Sequence, residues 1–158
     1  MLTTAQLQAL KADIASDPVL DALPKNSDGA FAIAQAYNLA ADPIFVVWKT
    51  DVPTSDCKKA MVWTEYIDRS VGERDAWVFM LSNGTINAAD VNIRQGIQDI
   101  FSGPNGAGSR AALIAIGKRN ASRIETLFAE GTGSDASPGT MTFEGSLSYQ
   151  DVMQAWNS

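Results

Sequence analysis

Helix start and stop signals punctuate this chain from end to end, and they constrain its fold more than any other feature. A side chain able to accept from a free helical N–H, followed three residues later by Glu or Gln, marks a start. Gly or Pro just beyond an apolar stripe marks a stop. Thr3 with Gln6, Asp17 before Pro18, Asn26-Ser27-Asp28, Ser70 with Glu73, Ser122 with Glu125, and Ser148 are starts of this kind; Pro24, Asn83-Gly84 and Gly103-Pro104 are stops. A chain divided in this way reads as a mainly α, single-domain helical bundle of about six to eight helices.

The apolar spacing fills in the elements between those signals. Leu7, Leu10 and Ile14 predict a helix over 4–16, and Asp17-Pro18 can open a short helical turn through Leu23. Phe31, Ala34 and Tyr37 form one stripe of a second helix over 30–41. Residues 58–63 have a weaker helical pattern. The stretch from Asp75 to Leu81 is so apolar that the helix opened by Ser70 is expected to lie deep in the core and to run through Ser82. Ile93, Ile97, Ile100 and Phe101 are an amphipathic helix beginning at Asp90. Residues 110–117 and 122–128 are either two helices broken near Asn120 or one kinked helix, and Tyr149–Trp156 follows Ser148.

Two segments have strand character. Ile44-Phe45-Val46-Val47-Trp48 is β-branched and aromatic, and Met141-Thr142-Phe143-Glu144 alternates with a period of two. Pairing 44–48 with 141–144 would satisfy both, giving a minor two-stranded element. Between the last two elements, residues 130–140 (EGTGSDASPGT) carry no large apolar side chain and predict an exposed loop or arm, after which 141–158 form a C-terminal strand and helix.

With 158 residues, 46% of them apolar, one domain can bury a core without metal or disulfide support. The chain has no histidine and one cysteine. Histidine-based nucleophile pairs, His-ligated zinc and imidazole proton transfer are therefore excluded, and Cys57 can form no internal disulfide. Eighteen acidic residues against twelve basic ones give a net charge of −6, which disfavours broad binding to nucleic-acid phosphates. No run of about 18 apolar residues predicts a membrane span, and Met1-Leu2-Thr3-Thr4 lacks the basic-then-apolar order of a secretory signal.

What remains as candidate chemistry has a plainer reading beside it. Glu65, Asp68, Glu73 and Asp75 lie around Arg69 and Arg74, where paired acids could serve glycoside hydrolysis or a metal, but interleaved charges of this kind describe ordinary ion pairs and helix starts. Cys57 beside Lys58 and Lys59 could be a reactive thiol; without a histidine to activate it, a semi-buried cysteine is the better account. Lys118, Arg119 and Arg123, with Arg110 upstream, could touch phosphates or complement helix C-terminal carbonyls, and the overall acidity favours the second. The glycine-rich segments 103–109 and 131–134 lack the phosphate-loop pattern and read as connections. Trp48, Trp63, Trp77 and Trp156 are expected mostly in the core, Trp77 above all, with Trp156 free to anchor an interface. No catalytic residue, metal ligand or cofactor site is expected, and the chain is read as a non-enzyme.

Five strings, in order and spanning nearly the whole chain, carry a resemblance: MLTTAQLQALKADI, FVVWKTDV, VWTEYIDRSVGERDAW, NGTINAADVNIRQGIQDIFSG and GTGSDASPGTMTFEGSLSYQDV. They resemble a family of small proteins encoded in the structural gene clusters of tailed bacteriophages and prophages of Gram-negative bacteria. The resemblance implies a virion or morphogenesis role for a protein made in the host cytoplasm, and it brings no catalytic residues. A helical protein of this size in that setting is similar to the head-to-tail adaptors, or connectors, of the neck. It implies self-association into a ring, contact with portal, tail or neck proteins, and DNA passing through without sequence-specific binding. Tail-completion, capsid-associated and non-virion assembly or host-modulating roles are the alternatives. The 130–140 arm, the 141–144 strand with Phe143, and Tyr149 and Trp156 of the last helix are the candidate interface.

Overall fold

A computed structural model describes residues Leu2–Ser158, and it is mainly α, with ten α-helices and only two-stranded sheets among those residues. Within that architecture the chain gathers into two compact units. One comprises the residues up to Val47 together with Asn120–Ser158, the other Trp48–Arg119. Each has its own apolar core. The helices outnumber the expected six to eight because several are only four to seven residues long, among them the Pro18–Asp21 turn.

In the first unit, local hydrogen bonds set where each helix begins. Thr3 and Gln6 form the expected capping box for α1 (Thr4–Ser16), which buries Leu10 and Ile14. Asp17 ends α1 and its carboxylate accepts from Val19 and Leu20 N–H, opening α2 (Pro18–Asp21) with proline at its first turn. Asn26 caps α3 (Ser27–Asn38), whose Ala30, Ile33, Ala34 and Tyr37 are buried. Farther along, α9 (Arg123–Leu127) begins from the Ser122–Glu125 box and α10 (Tyr149–Trp156) from a Ser148–Asp151 box. Helix α10 packs on α1 and α3, placing Val152 and Ala155 beside Leu10, Ile14 and Ile33. Full burial of each large aliphatic side chain is worth about 1.5–3 kcal/mol.

The C-terminal segment is thus part of this core. Leu147 is buried, and its backbone is clasped by Asn38: Asn38 Nδ2 donates to the Leu147 carbonyl at 2.9 Å and the Leu147 N–H donates to Asn38 Oδ1 at 2.7 Å. Phe143 meets Phe128 edge to face at 5.8 Å between ring centres.

The second unit runs α4 (Thr54–Ala60), α5 (Trp63–Ile67), α6 (Val71–Met80), α7 (Val91–Ile100), a 3₁₀ turn at Pro104–Gly106 and α8 (Ala107–Ile116). Trp77 on α6, Ile97 and Ile100 on α7, Phe101 and Leu113 form its centre, with Trp77 and Phe101 in an edge-to-face pair at 5.3 Å. The expectation that α6 lies deep in the core is overturned. Only Trp77 is buried, whereas Val71, Val78 and Phe79 are 65%, 59% and 81% exposed. A ten-residue helix packed against α7 offers one face to the core, so its remaining apolar side chains are left at the surface.

The strands correct a second expectation. β1 (Val46–Trp48) pairs with β4 (Lys118–Asn120), and β2 (Val52–Pro53) is antiparallel to β3 (Thr85–Ile86). The strand β6 is only Thr140–Met141 and pairs with β5 (Ala129–Glu130), so the 44–48 with 141–144 pairing does not form. For β6 the nearby β5 wins, because closing a short hairpin loop costs less chain entropy than a long one. The strand β4 also separates α8 from α9, which decides for two helices over one kinked helix.

Nor do residues 130–140 hang free. The Val46 N–H donates to the Gly133 carbonyl at 2.7 Å, and the Gly139 N–H donates to the Val46 carbonyl at 2.8 Å. Gly133 is buried against the Phe45 ring with φ +64°, and a Cβ there would sit 2.2 Å from Phe45 Cδ2. A segment with no large apolar residue of its own is held because Phe45 supplies the apolar surface and glycine allows the close approach. Ser134 to Ser137 remain exposed.

Candidate functional surfaces

The carboxylates singled out around Arg69 and Arg74 do not converge. Glu65, on α5, caps α8: its two oxygens accept from Gly108 N–H at 3.0 Å and Ser109 N–H at 2.7 Å. Hydrogen bonds from the Ser109 hydroxyl and backbone hold its carboxyl below the usual range. Glu73 is held low by the Ser70 hydroxyl and N–H of its own capping box. Asp75 is exposed. Arg69 donates to the carbonyls of Glu65, Ser102 and Asn105, and Arg74 to that of Ile67. Glu65 and Glu73 serve helix starts and the arginines serve helix ends and turns, each where the local dipole favours it. Among the described residues no group of three or more potential ligands could hold a metal ion.

Cys57 is buried in the second core, and burial, aided by Asp56, pushes its thiol up to about 11. It stays protonated and unreactive near neutrality. The basic residues are also engaged with local partners. Arg110 donates to the Phe101 and Gly103 carbonyls, Lys118 lies 5.8 Å from the centre of the Trp48 ring, and Arg123 belongs to the other unit.

Arg123 anchors a cluster that sequence reasoning did not assemble. Its guanidinium donates to Asp17 at 3.0 Å and Asp13 at 3.3 Å and lies 4.5 Å over the Tyr37 ring, while the buried Tyr37 hydroxyl donates to Asp13. Desolvation raises the tyrosine, and the Asp13 hydrogen bond raises it further. For Arg123, burial works against the charge, but its acidic partners outweigh it and the net shift is upward. Asp17 is lowered, first by the Leu20 N–H. Asp13, Asp17 and Arg123 also line a cleft of about 800 Å³, together with Leu39, Pro43 and Ile44.

Of the expected interface residues, Tyr149 is exposed beside Phe31, Ser27 and Asp28, while Phe143 and Trp156 are half-buried against the first core. The expected core tryptophans divide: Trp77 and Trp48 are buried, but Trp63 is 55% exposed. Further large apolar side chains stand at the surface on Phe31, Leu39, Ile44, Ile67 and Phe79. Beside Phe79, α6 and α7 enclose an apolar groove floored by Ala76, Met80, Ile93 and Ile100. No helix is long and apolar enough among the described residues to cross a membrane. Compared with protein-family models, with curated proteins and with solved structures, the chain gives no match.

Proposed function

We propose that this chain is a structural protein of a tailed-bacteriophage particle, serving as a head-to-tail connector of the neck and assembling as a ring between portal and tail proteins. The observation that carries the reading is the set of five strings, in order along nearly the whole chain, that resemble the phage structural-cluster family. Several large apolar side chains are exposed on both units and are available for contact with other proteins. Meanwhile Glu65, Glu73, Arg69 and Arg110 are engaged in caps and turns. The net charge of −6 fits a channel through which DNA slides without adhering, since like charges repel.

Imaging of particles made without this gene tests the connector role. Unjoined heads and tails are expected; finished, stably joined particles in normal number would overturn it. Density for the chain on the capsid shell or at the tail tip would assign it instead to a capsid-associated or tail-completion role.

A further inference from the structure

Asparagine followed by glycine occurs twice in this chain, at Asn83-Gly84 and at Asn105-Gly106. In such a pair the glycine nitrogen can attack the carbon of the asparagine side-chain amide, because glycine has no side chain to obstruct the approach. The fold treats the two pairs differently. Asn83 and Gly84 both lie exposed in the turn between α6 and β3. Gly84 has φ +80°, and among the described residues nothing stands within 4 Å of where its Cβ would be. Its N–H reaches only the Leu81 carbonyl at 3.4 Å, longer than an ordinary hydrogen bond. Asn105-Gly106 belongs instead to the 3₁₀ turn, where Gly106 is buried and its backbone is pressed on Phe101, whose carbonyl oxygen would be 2.1 Å from an added Cβ. The Gly106 N–H bond, to the Gly103 carbonyl, is also 3.4 Å long, so room and burial are what separate the two pairs. Asn26 and Asn157, the asparagines that precede serine, hold their side chains in hydrogen bonds to backbone groups.

We propose that Asn83 is a site of spontaneous covalent modification, deamidating through a cyclic imide with Gly84, while the fold preserves Asn105. The Gly84 nitrogen gives up its proton and attacks Asn83 Cγ. The N–Cγ bond forms, the Cγ–Nδ2 bond breaks, and the side-chain nitrogen leaves as ammonia, carrying a proton in place of the one the glycine nitrogen lost. Water then opens the imide. Addition at Cγ leaves aspartate, and addition at the backbone carbonyl carbon leaves isoaspartate, in which the chain runs through Cβ. The reaction consumes only water and needs no oxidant or second protein. Either product is ionised at neutral pH, so one carboxylate in place of one neutral amide takes the net charge from −6 to −7. The new charge stands just beyond the C-terminal end of α6, where the helix dipole disfavours it. It also joins the lining of the apolar α6–α7 groove, whose charged residue is otherwise Asp99. That surface therefore grows more acidic as the protein ages, whether or not the chain belongs to a particle.

Incubation of the full chain in mildly alkaline buffer, folded and in urea, tests the site. The samples are digested under mildly acidic conditions, where no further conversion accrues, and mapped by mass spectrometry with electron-transfer fragmentation, which distinguishes the two acids. Urea supplies the reference, since both asparagine-glycine pairs are then free and are expected to convert together. In the folded protein the peptide containing Asn83 is expected to gain the mass of an amide-to-acid exchange, while the peptide containing Asn105 keeps its amide. The intact protein is expected to move by one acidic step on isoelectric focusing, faster as pH rises, because the attacking nitrogen must lose its proton. Asn83→Gln is expected to remove that step, since its longer side chain would have to close a larger ring. A folded protein in which Asn83 stays an amide, under conditions that convert it in urea, would overturn the proposal. So would Asn105 converting as fast as Asn83 in the folded protein, or an acidic step that persists in the Asn83→Gln variant.

Discussion

Arg123 is the residue on which most separate interactions of the first unit meet. It holds Asp13 and Asp17, which come from the end of α1 and the start of α2, and covers the ring of Tyr37 on α3. Replacing it with Met keeps much of the packing volume but leaves two carboxylates and a buried phenol without their cation. The expected loss is about 1–2 kcal/mol in urea unfolding, below the figure for a fully buried pair because the side chain is partly exposed. Arg123→Lys is expected to recover only part of it, since one ammonium cannot replace the planar fork. Cys57 gives a second residue-scale outcome. With its thiol raised by burial, it is expected to react with an aromatic disulfide reagent at pH 8 only after denaturant is added; full reaction in the native protein would show the site to be open. Neither the Arg123 cluster nor the Glu65 cap of α8 was legible in the sequence. Their members lie far apart along the chain and belong to different elements, so no local spacing connects them. Burial of Cys57 was half legible, from the absence of any base to activate it.

At the level of elements, helix starts were the most legible feature. A cap joins residues two or three apart, and the boxes at Thr3, Ser70 and Ser122 stand where the pattern puts them. What spacing could not convey is which face of a helix finds a partner. Helix α6 reads as core and exposes Phe79, whereas the C-terminal helix, a candidate for docking, contributes Val152 and Ala155 to the core. Paired substitutions separate the two cases. Leu147→Ala is expected to cost about 2–5 kcal/mol, as for other buried leucines, while Phe79→Ala is expected to change stability by less than about 0.5 kcal/mol. Removal of 141–158 is accordingly expected to abolish cooperative unfolding, since it strips α1 and α3 of the helix packed on them. The caps also set the acid limit. Asp17, Glu65 and Glu73 have folded pKa values below their ordinary 3.8, 4.5 and 4.5. Their contribution is whole above that range and drains as pH falls through it toward the lowered folded values. The melting temperature is therefore expected to hold from pH 7 to about 5 and to fall below that, with Ser70→Ala reducing the slope.

For the whole molecule, the absence of histidine rules out imidazole chemistry, and the one cysteine is buried. Mainly α architecture followed from apolar spacing, which is an average over many positions. The division into two units did not, because the first is closed by segments from both ends of the chain and no composition shift marks the crossing. The proposed function makes this protein a stoichiometric part of a phage particle. Quantitative mass spectrometry of purified phage particles, from a lysate in which this chain is expressed, tests the proposed role most directly. A fixed, multiple copy number per particle, in constant ratio to the portal protein, is the expected result; a chain abundant in the lysate but missing from purified particles would contradict it.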